Sequence, residues 1–199
     1  MGPFSFIPFM ECYHGVVNIS HSIQGELFYQ DEIIHFNDGY GYIEKDWGTS
    51  FPESWIWMQC NHFKSKDVSF MFSIAKIPWL GTFFNGFISF LRIGENHYTF
   101  ATYANSKIEY LSCKENLMSI CLVNNKYKVK IKADISTKVG QLIAPKIGSM
   151  NRKIKESINS KISLLLTDKN NNQIFCDTGY HAGTELAGPF EKLFVSNKL

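Results

Sequence analysis

The chain reads as an all-β protein, an antiparallel barrel or sandwich, and three observations predict it. Aromatic residues make up 15% of the 199 residues, with 17 Phe and 9 Tyr, and such side chains favour pleated, half-buried surfaces. Short segments alternate apolar and polar residues with period two. Gly, Asn, Asp and Lys clusters break these segments at hairpin-like intervals. A chain of this length is expected to form one compact unit, 1–199, with residues 1–13 as an extended segment packed on its body.

The elements follow in order. The opening Met1–Met10 is apolar, lacks a positive leading region and holds two prolines, Pro3 and Pro8, so it is a poor signal peptide. Residues 38–62 read as two strands joined by a turn around Gly48–Ser54. Alternation puts Tyr40, Tyr42, Glu44 and Asp46 on one face of the first strand, with Gly41, Ile43, Lys45 and Trp47 on the other. On the second strand Trp55, Trp57, Gln59 and Asn61 share a face opposite Ile56, Met58, Cys60 and His62.

Val68, Phe70, Phe72 and Ile74 then fall on one face of the next strand. The most apolar stretch, Ile77–Leu91, is broken by Pro78, Gly81 and Gly86, so a loop and a strand fit it better than a helix. It is also a candidate for peripheral membrane contact. Ile93–Asn96 punctuates the approach to Tyr98–Tyr103, and Val123–Lys126 turns Leu117–Val123 back into Tyr127–Ala133. In that last strand Tyr127, Val129 and Ile131 alternate with lysines. Met150, Ile154, Ile158 and Ile162 are spaced by four, which suits one short helical turn at 151–159 as well as a strand; 160–167 reads as strand. Asp168–Gln173 is the final turn, before Ile174–Thr178.

Several classes are set aside. Net charge is +2, with no basic cluster interleaved with aromatics, so nucleic acid is not an expected partner. Five scattered cysteines without metal-like spacing suggest a reduced, cytoplasmic setting and no metal site. No apolar run is long enough for a membrane-spanning helix, and no Gly-x-Ser-x-Gly elbow marks a hydrolase.

The mixture of carboxylates with tyrosines, and of tryptophans with amides, in 40–61 is costly in a plain core. It is useful in a hydrophobic cavity, where a carboxyl among aromatics gains a raised pKa and aromatic faces stabilise positive charge. The plain alternative has Glu44 and Asp46 facing solvent and the tryptophans serving as core.

The stretch Tyr42–Asn61 resembles the signature block of the tocopherol cyclase family, Gly-Tyr-(Ile/Val)-Glu-(Lys/Arg)-Asp-Trp-Gly-x-Ser-Phe-Pro followed by Trp-x-Trp-x-Gln-x-Asn. Gly2-Pro3-Phe4, Met10–Val16 and Ile174–Gly188 are similar to its opening and closing elements. The resemblance implies a lipocalin-like β-barrel related to carotenoid hydratases, one face of each strand lining a lumen. It implies acid-catalysed cyclisation of a prenylated hydroquinone, or a similar isoprenoid, with no cofactor. Within that reading Asp46 is the expected proton donor, Glu44 its partner and His14 a candidate acid or base. Tyr42, Trp47, Trp55 and Trp57 would wall the cation, Gln59 and Asn61 would bind a quinol oxygen or pair within the sheet, and His181 and Glu185 are weaker candidates, Glu185 facing the same lumen. The family carries a further N-terminal part before the Gly-Pro-Phe element, so this chain is expected to be either a minimal member or the downstream product of a split gene, with an upstream half as partner. A non-catalytic carrier of an isoprenoid or lipid is the alternative; it tolerates both carboxylates facing solvent or tied to Lys or Arg.

Overall fold

The computed structural model describes residues 1–195. It is almost wholly antiparallel β. β1 (Cys12–Ile23) and β4 (Gly39–Gly48) form a two-stranded ribbon, and β2 (Glu26–Tyr29) and β3 (Glu32–His35) a separate hairpin. The remaining strands build one large sheet: β5 (Trp55–Cys60), β6 (Val68–Trp79), β7 (Thr82–Ile93), β8 (Asn96–Ala101), β9 (Lys107–Lys114), β10 (Leu117–Val123), β11 (Tyr127–Asp134), β12 (Gly140–Lys146), β13 (Ser149–Asp168) and β14 (Gln173–Ala187). Its order is β8-β7-β6-β5-β14-β13-β11-β10-β9, with β12 paired to β13. Among the described residues, no helix is long and apolar enough to cross a membrane.

The expected turns fall where punctuation placed them, at β7–β8, β10–β11 and β13–β14. Residues 151–159 are strand rather than helical turn. β12 pairs with this segment on one side and β14 on the other, and that ladder outweighs the spacing of four. Register shifts between Ser157 and Ser160 rephase β13, so Ile154 and Ile162 are buried while Ile158 is exposed. At the N-terminus, Gly2–Phe6 forms a short 3-10 helix instead of extended backbone, and Phe4 stacks on Phe84 and meets Trp79 edge-on.

The sheet curls around one core. Ile56 and Met58 of β5, Phe70 and Phe72 of β6, Leu91 of β7, Phe100 of β8, Leu111 of β9 and Leu164 of β13 share a single buried cluster. β8 and β9 lie at opposite ends of the strand order, yet both contribute to it. Asn124 Nδ2 donates to Thr99 O at 3.2 Å, and Tyr98 meets Tyr127 edge-on, drawing the two ends together. The hydrogen-bonded order is nevertheless open there, without backbone pairing between β8 and β9 among the described residues. The enclosed side is filled with side chains, so the expected lumen is a packed core.

The ribbon covers the other side. Alternation turns Trp55 and Trp57 of β5, Met71 and Ser73 of β6, and Ile88 of β7 away from the core. Val16 and Tyr42 of the ribbon pack there against Met71, Ile88 and Ala101. The sequence thus has two apolar faces on β5–β7 because each meets a different partner.

Candidate active site

Between the ribbon and the outer face of the large sheet lies a cavity of about 310 Å³. That is within the lower range of small-molecule sites. His14, Glu44 and Asp46 line it from the ribbon, and Trp55, Trp57, Ser73, Ala75 and Glu185 from the sheet. Phe51 and Pro52 of the β4–β5 turn and Leu142, Ile143, Ala144 and Ile154 of the β12–β13 hairpin complete the wall.

Pairing register assembles the polar cluster. His14 lies opposite Asp46, and Val16 opposite Glu44, so the imidazole and both carboxylates share one face of the ribbon. His14 Nδ1 donates to Asp46 Oδ1 at 2.7 Å and lies 3.4 Å from Glu44 Oε1. Its Nε2 is buried without a hydrogen-bond partner among the described residues. Glu44 Oε2 accepts from the Tyr42 hydroxyl and from Trp57 Nε1, the latter at 2.9 Å. Among the described residues no Lys or Arg pairs with Glu44 or Asp46; the basic side chain within reach of both is His14. His14, Glu44 and Asp46 also offer one ligand atom each within 4.8 Å, a spacing that a divalent cation could share. The sequence spacing hid that grouping, because the ribbon brings it together across about thirty residues.

Glu185 stands apart from this cluster. It lies opposite Trp57 on β5 and Glu156 on β13, and its Oε2 accepts from Trp55 Nε1 at 2.7 Å. Burial pushes its carboxyl up to about 7; the Trp55 bond opposes that, and the charges of Glu156, Glu44 and Asp46 add to it. Burial also raises Glu44, against the pull of His14, Tyr42 and Trp57. For His14, burial disfavours the imidazolium, but the Asp46 bond and the two carboxylate fields outweigh it and leave its pKa raised. Burial and the neighbouring carboxylates push the Cys12 thiol to about 12, so it stays protonated and unreactive.

Trp55→Phe removes the hydrogen bond that favours the charged form of Glu185. Its pKa should rise further, read as an upward shift of the Glu185 carboxyl resonance in an NMR titration. An unchanged titration would mean that the indole does not set this carboxyl's acidity.

Other candidates fall elsewhere. Trp47 is on the opposite face of β4, 44% exposed and stacked on Tyr13 at 5.4 Å, outside the cavity lining. Asn61 Nδ2 donates to Tyr40 O at 3.1 Å, tying sheet to ribbon. Gln59 Nε2 is buried without a partner among the described residues, also outside the lining. His181 meets His62 edge-on away from the site. The apolar wall from the β12–β13 hairpin went unnoticed in the sequence, where Leu142 and Ile143 carry no local signal beyond apolarity.

Comparisons agree with the signature block. Residues 1–188 match the family described as Tocopherol cyclase-like. Over 56 residues, 28% of the chain, it is 36% identical to the protein named "Tocopherol cyclase, chloroplastic" of Zea mays. Over the same length it is 34% identical to "Probable tocopherol cyclase, chloroplastic" of Oryza sativa subsp. japonica. Each alignment covers 12% of the plant protein, so the chain matches only a small part of these relatives. No solved structure matches the chain. With a family match running nearly end to end and the signature block forming the wall of its cavity, this chain belongs to the tocopherol cyclase-like family.

Proposed function

We propose that the cavity performs acid-catalysed cyclisation of a prenylated hydroquinone or similar isoprenoid, closing a ring by addition of a phenol oxygen to a trisubstituted alkene. The observation that carries this reading is the placement of Glu44, Asp46 and Glu185 in an aromatic, apolar cavity with no Lys or Arg among the described residues neutralising them. A carrier has no need of two desolvated carboxyls, Glu44 and Glu185, each costly to bury. A lipocalin-like barrel is the architecture in keeping with the curled sheet, whose two end strands share one core.

Hydrogen bonding divides the roles. Asp46 orients His14 through Nδ1, which leaves Nε2 free. Glu44 accepts two hydrogen bonds at one oxygen, an arrangement suited to an anion facing a developing cation. Glu185, poised near neutral pH, is the proton donor. Its proton adds to the alkene, whose π pair forms the new C–H bond and leaves a tertiary cation. Trp55, Trp57 and Glu44 stabilise that cation. The phenol oxygen then forms the C–O bond, and its proton passes to His14 Nε2. Re-equilibration between His14 and Glu185 completes the cycle. This moves the acid from Asp46, where the signature block suggested it, to the carboxyl whose surroundings keep it protonated.

The test is cyclisation of a short-chain prenylated methylhydroquinone by purified protein. Chromanol should accumulate, and Asp46→Asn should slow it less than Glu185→Gln does, because the amide oxygen still accepts from Nδ1. Saturable binding without product would make the protein a carrier.

A further inference from the structure

Two hairpins overshoot the rest of the large sheet at one end. Glu156, Glu185, Trp57 and Ser73 lie on one level across four neighbouring strands. From that level β5 begins at Trp55 and β14 ends at Ala187, only two residues away. In the same direction β6 runs on to a tip at Leu80, and the β12–β13 hairpin to a tip at Ile147. At about 3.3 Å per residue, each arm runs roughly 15 to 20 Å past the ends of β5 and β14. The β4–β5 turn braces the second through Gly148 N to Thr49 O at 2.6 Å, and Phe4 and Phe9 pack on Trp79 of the first, leaving the tips themselves exposed.

The tips have the wrong chemistry for simple turns. Leu80 and Gly81 have φ of 45° and 81°, and Ile147 and Gly148 have 49° and 77°. Two consecutive residues at positive φ are a turn that prefers Asn-Gly or Asp-Gly; a bulky or β-branched residue there is strained. The β2–β3 turn uses the polar pair Gln30-Asp31 for the same backbone. Leu80 is 78% exposed and Ile147 is 82% exposed, so neither side chain repays the strain by packing. Phe6, Phe83 and Met150 are exposed beside these arms.

Charge completes the pattern. Val68 to Gly94 contains no Asp or Glu, and neither does Ile135 to Lys155, whose exposed cations towards the tip are Lys146, Lys153 and Lys155, while Arg152 is turned in to Pro52 O and Glu53 O. Glu53, at the base of the first arm, is paired with Lys76 at 2.6 Å. By contrast the exposed β2–β3 hairpin carries Glu26, Asp31 and Glu32.

From this we infer that the two arms form a docking face for an anionic lipid bilayer: Leu80 and Ile147 enter the acyl boundary while the flanking cations meet headgroups. The cavity lies between the arms, taking Ser73 and Ala75 from one and Leu142, Ile143 and Ala144 from the other. Docking therefore turns the cavity towards the membrane. The inference is independent of which reaction, if any, the cavity runs.

Flotation of the full chain with phosphatidylcholine vesicles, with and without phosphatidylglycerol, tests it. The protein should float with the anionic vesicles and be released by high salt. The double variant Leu80→Asn, Ile147→Asn should bind about tenfold more weakly or worse, with a thermal midpoint no lower than wild type, since Asn suits positive φ. Equal flotation of the variant, or no flotation of the wild type, overturns the docking face. So does a dimer in sedimentation that the variant dissolves without any vesicle binding, because the tips would then pack against a second copy.

Discussion

Glu185→Gln is expected to slow cyclisation by about 10²–10⁴-fold, the usual contribution of a positioned general acid. The amide keeps the shape of the side chain and can still accept from Trp55 Nε1, so affinity for the quinol should hold while turnover collapses. On the proposed mechanism the donor is the protonated carboxyl, whose pKa is about 7. Turnover should therefore fall roughly tenfold per pH unit above that point. The residual activity of the variant should lack that limb. Single-turnover product formation across pH 5 to 9 reads both. A variant that cyclises at the wild-type rate would hand the role of donor to Glu44, the other cavity carboxyl that burial raises.

The same substitution should stabilise the fold at alkaline pH. Glu185 has an ordinary value of 4.5 and about 7 when folded. Below pH 4.5 both states hold the proton, and stability is unaffected. Between 4.5 and 7 the unfolded chain has released a proton that the folded chain retains. Stability due to this group is thus highest in acid and is lost as pH rises through the folded value. The loss amounts to about 3 kcal/mol, at 1.36 kcal/mol per unit. Gln carries no such penalty. Urea unfolding should find Glu185→Gln more stable than wild type by about 3 kcal/mol at pH 8, with the advantage vanishing by pH 4. An advantage that does not change with pH would mean that Glu185 is not strained by ionisation. A residue that costs stability in its charged form, in a cavity wall, is what a site under functional constraint looks like.

Local pattern carried much of the fold. Strands at Gly39–Gly48, Trp55–Cys60, Val68–Trp79 and Tyr127–Asp134 follow from alternation, and their turns from Gly, Asn and Asp clusters. The faces were legible too: Tyr42, Glu44 and Asp46 do share one side of β4, and Trp55 and Trp57 one side of β5. Period two is a property of the backbone itself, so each strand sorts its own side chains before any partner is present.

Which face is covered, and by what, was decided elsewhere. β4 and β5 are joined by a short turn yet enter different sheets, so the two halves of the signature block face each other across a cavity instead of pairing. The hydrogen bond of His14 to Asp46 depends on one register of β1 against β4. Glu185 and the Leu142–Ala144 wall reach the site from positions far along the chain. Residues 151–159 became strand because β12 and β14 supplied ladders on both sides. The sequence alone determined most strands, their side-chain faces and the family; only the tertiary structure decided the fate of residues 1–13 and 151–159, and that the enclosed side is packed core and the opposite side the candidate site. The physical reason is that alternation is local, whereas the burial that sets a carboxyl's proton affinity comes from strands brought together by long-range pairing.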